Sequence, residues 1–260
     1  MTIPLGDDRD YAEPSAFTPE NLLREARRQK GLPSGDVPAV CVLDPDGDIV
    51  RELVASGRAT RDPAWACYHT ELFVVDDGTR FGIVGGAVGA PFAVLVAEEL
   101  FASGCALLVS ITSAGQIAPI GTPPYFVVIE RALRDEGTSH HYLPPGRFAA
   151  ADPNLLARAQ NMLATAGVAI ACGSSWTTDA PFRETASLIA ARRGEGVVAV
   201  EMEAAALYAF AQARQRAVIC VAHVTNALAQ REGDFEKGRA NGAHDALAII
   251  DALVRAFATE

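Results

Sequence analysis

The chain has 260 residues, 50% hydrophobic and 21% charged, enough for one large domain or two small ones around a sizeable core. Its formal net charge of -10 gives no basic excess to displace counterions from phosphates, which argues against general nucleic-acid binding while leaving room for a small anion held by local donors. No apolar run approaches the roughly 20 residues of a membrane helix, and the first residues have neither a basic nor an apolar leader segment, so a soluble, cytoplasmic protein without membrane partners is expected.

Residues 1–16 are polar and proline-containing and form an expected arm. Thr18 is a candidate N-cap, with Pro19 at the first helical position and Gly31 ending a charged amphipathic helix over 20–30. This arm and helix (1–36) precede a single expected domain over 37–260. Short apolar runs then alternate with helical stretches. Strands are predicted over 40–43, 71–75, 80–85, 106–111, 126–131, 168–173, 197–201 and 218–224, the second and third forming a hairpin around Asp76-Asp77-Gly78. Helices are predicted over 90–103, 153–167, 184–193, 204–214 and 242–259. This alternation predicts an α/β fold, a three-layer domain whose mixed, largely buried sheet is flanked by helices. The five cysteines are scattered singly without a CxxC pair, and no HxxxH spacing occurs, so reduced buried thiols and no metal site are expected.

Ligands of such sheets sit beyond the carboxyl ends of the strands. The polar or glycine-rich segments 43–48, 85–92, 110–116 and 173–184, with Thr225-Asn226 closing the last strand, collect there. The most informative stretch is Val198-Ala199-Val200-Glu201-Met202-Glu203-Ala204-Ala205-Ala206-Leu207-Tyr208, where two carboxylates flank a methionine as a strand meets an alanine-rich helix. On chemistry alone, Glu201 and Glu203 fit a solvated helix start, where acids complement the dipole, as well as they fit a ligand site.

That string resembles the ribose-binding signature of the nucleoside phosphorylase and nucleosidase superfamily, and the resemblance runs over roughly residues 38–257. Gly85-Gly86-Ala87-Val88-Gly89-Ala90-Pro91 resembles the family's glycine-rich turn, Thr112-Ser113-Ala114-Gly115 its GTTG or GSAG turn, and residues 138–148 a segment of uridine phosphorylases. Val224-Thr225-Asn226 falls where the family places its base-facing polar residue. The resemblance implies a nucleoside phosphorylase-like fold and cleavage of an N-glycosidic bond, by phosphorolysis to free base and ribose 1-phosphate. No cofactor is implied, inorganic phosphate is the co-substrate, a small nucleoside is the substrate, and a homo-oligomer, dimer or hexamer, is the assembly.

Residue by residue, the resemblance gives Glu203 the ribose hydroxyls and the charge opposite a developing oxocarbenium ion, with Met202, Glu201 and His141 completing the sugar site. Gly89, Ser110, Thr112 and Ser113 would hold the phosphate or a water. Gly115, Trp176, Thr177, Thr178, Arg183 and Asn226 would face the base, Trp176 offering a stacking surface or else a core aromatic. Purine-specific relatives carry an aspartate general acid where this chain has Asn226, which slightly favours a pyrimidine nucleoside.

The chain also departs from the pattern. Ser110 stands where an arginine is common, Cys67 aligns near another phosphate arginine, and the early PGDPxR turn has become Leu43-Asp44-Pro45-Asp46-Gly47-Asp48. An acidic turn repels phosphate unless Arg51, Arg58 or Arg61 swings in. It admits a nucleosidase reading, with Asp48 as the water-activating carboxylate, or else a turn chosen for its backbone geometry. A non-catalytic nucleoside-binding protein is the third alternative.

Overall fold

The computed structural model describes residues 9–228 and 232–257. The first eight residues of the expected arm and the last two of the expected closing helix lie outside them. Helix α1 (Pro19–Lys30) starts where Thr18 Oγ1 accepts the Asn21 N–H at 3.3 Å and ends at left-handed Gly31.

Strand β1 (Val40–Asp44) illustrates how the layers form. Cys41 and Leu43 pack into one apolar cluster with helices α3 (Ala90–Ala102) and α6 (Ala204–Arg214). Val40 and Val42 pack into another with α2 (Asp48–Ala55), α4 (Pro153–Thr165) and α7 (Ala243–Phe257). Successive side chains of a strand point to opposite faces, so a strand that is apolar throughout must be covered twice. The result is three layers with a mixed sheet in the middle. Helix α6 is buried from Ala204 to Ala211, and its small alanines let it sit between α3 and the sheet.

The sheet runs on from β1 to β4 (Arg80–Gly85), β3 (Leu72–Asp76) and β2 (Ala59–Arg61). On its other side β1 pairs in parallel with β5 (Leu107–Gln116). Beyond that the sheet closes on itself. β5 pairs with β10 (Ala217–Asn226), β10 with β6 (Tyr125–Asp135), β6 with β8 (Ala171–Thr178), β8 with β9 (Val197–Glu201), and β9 back with β5. A short β7 (Phe148–Ala150) flanks β6, and α5 (Ala186–Gly194) joins β8 to β9.

Several strands extend beyond their sequence-predicted ends, β6 and β10 among them, and β5 and β8 bear on the site. β5 continues through Gln116 because β10 pairs with it as far as Asn226↔Gly115, so the GTTG-like segment is strand rather than turn. β8 lies over 171–178 rather than 168–173 because β6 pairs with it from Val127↔Ala171 to Asp135↔Thr178. Tertiary pairing overrides the turn-like composition in both places. Helix α2 was not expected from the sequence. Asp44 makes it possible, its carboxylate accepting the N–H of Gly47 at 3.1 Å and of Val50 at 2.9 Å, so the acidic turn is also a helix start. No helix among the described residues is long and apolar enough to cross a membrane.

Tyr208 fastens α6 to the closed part of the sheet. Its hydroxyl donates to the Ile129 carbonyl at 2.5 Å and accepts the Cys220 N–H at 3.0 Å, where a bulge after Ile129 interrupts the β6–β8 ladder. Tyr208→Phe is expected to lower unfolding free energy by about 1–3 kcal/mol, because two buried backbone groups lose a partner. Denaturant melts check this, and an unchanged midpoint contradicts it.

Candidate active site

The carboxyl ends of β1, β4, β5, β9 and β10 converge on one rim. At the β9–α6 junction, Glu201 is wholly used by the fold. Its Oε1 accepts the hydroxyls of Ser175 at 2.9 Å and Thr177 at 2.5 Å, and its Oε2 accepts the N–H groups of Glu203 and Ala204, both at 2.7 Å. It caps the first turn of α6, and no acceptor capacity is left for a sugar. Thr177 is fixed with it, its Oγ1 accepting the Ala205 N–H at 2.9 Å.

Glu203 projects the other way, away from Glu201 and toward the glycine-rich turn. One carboxylate oxygen accepts the Gly89 N–H at 2.7 Å. The other accepts the Thr112 hydroxyl at 2.8 Å and the Met202 N–H at 3.3 Å. A carboxylate has about four acceptor positions, so one remains for a further donor, and the Thr112 hydroxyl can rotate to release a second. Burial, followed by the charge of Glu201, pushes the Glu203 carboxyl up to about 7 against the hydrogen bonds that favour its ionised form. The structure therefore brings Glu203, Met202, Gly89, Thr112 and Ser113 together across three elements far apart in sequence.

The acidic turn faces the same rim. Asp46 Oδ2 accepts the Ser113 N–H at 3.2 Å, and Lys237 Nζ lies 3.5 Å from Asp46 and 2.5 Å from Asp48. Arg51 pairs with Asp48 at 2.5 Å. Burial works against the acidity of Asp48, but the hydrogen bonds from Lys237 and Arg51 outweigh it and hold that carboxyl below its ordinary range. A carboxylate so stabilised is a poor proton acceptor, which weakens Asp48 as an activator of water. Asp44 is pushed up to about 6, first by burial. Beside these groups a small cavity of about 10 Å³, room for about one water, is lined by Asp44, Asp46, Asp48, Thr112, Ser113 and His223. The His223 ring stacks on Phe126 at 4.3 Å, and burial, followed by the Lys237 charge, pulls it down to about 4, so it is neutral at physiological pH. Lys237 and His223 were missed by sequence reasoning: Lys237 follows a loop of unremarkable composition, and His223 sits inside an apolar strand.

Other expected site residues take different positions. Trp176 is 1% exposed and its indole N–H donates to Asp135 at 2.9 Å, so it is a core aromatic and offers no stacking face. Ser110 is 1% exposed within β5, about 10 Å below Ser113 at roughly 3.3 Å per residue, too deep to touch a co-substrate. His141 is exposed and contacts Arg9 of the arm. The adjacent Tyr142 bonds Glu98 at 2.9 Å, near the far end of α3 from Gly89, so His141 stands about 13 Å along that helix from the Glu203 contact. The Asn226 amide serves its own loop, Nδ2 donating to Thr225 Oγ1 at 3.0 Å and Oδ1 accepting the Leu228 N–H at 2.8 Å. Gly115 lies beneath this loop, where an added Cβ would meet Leu228 Cδ2 at 2.5 Å and Val200 Cγ1 at 3.1 Å. Thr178 accepts the Ala180 N–H at 3.2 Å, and Arg183 is exposed on the turn Pro181–Arg183. Arg58 and Arg61 pair with Asp77 and Glu71, leaving Arg51 as the one of the three that reaches the acidic turn.

The raised Glu203 titration has a thermodynamic consequence. The folded chain keeps a proton that the unfolded chain loses above its ordinary value of 4.5. This contribution to stability is fully present below about 4.5 and is lost as pH rises through about 7. Glu203→Gln, which cannot ionise, is expected to melt higher than wild type at pH 8 and with little difference at pH 4.5. A gap that does not depend on pH contradicts this assignment.

Comparison with known proteins places these features in a wider group. The chain is 27% identical to a purine nucleoside phosphorylase of the DeoD type from Bacillus cytotoxicus over 184 residues, covering 64% of this chain and 77% of the relative. The fold matches a purine nucleoside phosphorylase from Toxoplasma gondii in complex with immucillin-H, with a TM-score of 0.73 and 19% identity, covering 87% of this chain and 94% of that one. It also matches a uridine phosphorylase from Vibrio fischeri complexed with 6-hydroxy-1-naphthoic acid, with a TM-score of 0.71 and 23% identity, covering 86% and 93%. Nucleoside phosphorylases need no cofactor and use phosphate as co-substrate. The sequence model of the phosphorylase superfamily matches residues 40–255, and the chain belongs to that superfamily.

Proposed function

We propose that the protein cleaves the N-glycosidic bond of a nucleoside by phosphorolysis. The observation that carries this reading is the Glu203 carboxylate, held between the Gly89 N–H and the Thr112 hydroxyl beside Ser113 of β5. In its ionised form it accepts a ribose hydroxyl and places negative charge near C1′ as the ring approaches an oxocarbenium ion. A phosphate oxygen beside Ser113 bonds to C1′, and the C1′–N bond breaks. The base leaves with the bonding pair and takes its proton from solvent. Met202 gives the sugar an apolar contact.

Because position 226 carries an amide rather than an acid, no side chain there protonates the departing base, and a pyrimidine nucleoside fits this reading slightly better than a purine. The purine-directed names among the relatives point the other way, so inosine and uridine belong in the same assay. The reading carries with it a cytoplasmic homo-oligomer. A hydrolytic alternative draws on one observation, that Asp46 already bonds the Ser113 N–H beside a cavity of about 10 Å³, a space suited to a water.

Chromatography of free base after incubation with a nucleoside panel, with and without phosphate, separates these readings. Phosphate-dependent release is the expected result, release in phosphate-free buffer supports hydrolysis, and no release from any nucleoside overturns both. Glu203→Ala is expected to lower turnover by at least about a hundredfold while the chain remains folded. It is also expected to melt below wild type, because the Gly89 N–H loses its acceptor. Unaltered kinetics in that variant would remove Glu203 from the site.

A further inference from the structure

Beside the acidic turn, the rim contains a cation supplied by a segment distant in sequence. Lys237 reaches it from the segment before α7, with its side chain 21% exposed and its ammonium against Asp46 and Asp48. Burial lowers the tendency of Lys237 to hold its proton, but the hydrogen bond to Asp48 and the charges of both carboxylates more than restore it, so it is a fixed positive charge. The Ser113 N–H, at the carboxyl end of β5, is a donor facing the same point, and its partner is Asp46 Oδ2. One carboxylate thus receives both a backbone donor and an ammonium, which is how a bound oxyanion is held. His223 lines the same cavity, is 6% exposed, and stacks its ring on Phe126.

We propose that Lys237 and the Ser113 N–H form the site for the acceptor anion in this chain, and that Asp46 is a tethered anion that phosphate must displace from them. This deepens the phosphorolytic reading and rests on it for the anion's role in the reaction, although anion binding itself is independent of turnover. The cavity of about 10 Å³ is too small for a tetrahedral oxyanion beside Asp46, so the carboxylate must swing away to admit one. Its removal frees a donor and a charge together. Arg51, now on Asp48, is close enough to keep that second carboxylate satisfied while Lys237 turns to the incoming anion. Asp46 therefore sets how much phosphate the protein needs, and Lys237 sets whether it binds phosphate at all.

Isothermal titration of the full chain with inorganic phosphate tests this without any nucleoside. Asp46→Ala is expected to tighten phosphate binding at least about tenfold over wild type, because the competing charged acceptor is gone. Asp46→Asn keeps the shape without the charge, should shift binding in the same direction, and serves if the alanine variant fails to fold. Lys237→Gln should weaken phosphate binding about tenfold or more in either background. Phosphate affinity that is unchanged or weaker in both Asp46 variants, or unaffected by Lys237→Gln, overturns the proposal. If tightening is seen while no nucleoside is cleaved, the anion site stands and the phosphorolytic reading falls. If nucleosides are cleaved with phosphate and the variants leave its binding unchanged, the reverse holds.

Discussion

The site depends on two buried carboxylates that are two residues apart and have opposite tasks. Glu201 receives four donors and is consumed in holding β8, β9 and the first turn of α6 together. With that position satisfied, Glu203 is carried past the strand end and faced toward Gly89 and Thr112. A second buried acid beside the first is costly, and burial and the Glu201 charge push the Glu203 carboxyl up to about 7. The fold tolerates this because every oxygen of the pair has a donor. A group kept near neutrality in a buried rim can ionise when a charge-stabilised ligand arrives, which suits a reaction that generates positive charge on a sugar.

The acidic turn solves a related problem in a different way. Asp44 is spent on starting α2, and Asp48 is neutralised by Arg51 and Lys237. Asp46 is bonded to the Ser113 N–H of β5. Three aspartates in six residues look like a uniform negative patch in sequence, but the fold gives each a separate role. The charge balance of the rim is set by a lysine from the other end of the chain, which local composition does not reveal.

Much of the architecture was legible in the sequence because it depends on local periodicity. The strand 197–201 and the helix 204–214 fall at their sequence-predicted limits, since a β-rich run, a capping acid and an alanine-rich stretch follow one another without ambiguity. The shift of β8 and the extension of β5 were not legible, because both depend on which strand lies alongside, and polar residues such as Thr112 and Thr177 resemble loop residues until a neighbour pairs with them. The same error placed Trp176 and Thr177 in a base-facing loop when they belong to a buried strand. Helix α2 was hidden by Pro45 and Gly47, although Ile49 and Leu53 at helical spacing on one buried face could have disclosed it. At the site, the motif residues Met202, Glu203, Gly89 and Ser113 meet in space. His141 was grouped with them on segment likeness alone and lies at the opposite end of α3.

A crystal structure of the chain with a nucleoside and phosphate tests the central claim most directly. The expected result is a ribose hydroxyl within hydrogen-bond distance of the Glu203 carboxylate, with the Thr112 hydroxyl rotated or shared to make room. A nucleoside bound elsewhere, with the Glu203 bonds to Gly89 and Thr112 undisturbed and no sugar against Met202, would contradict it.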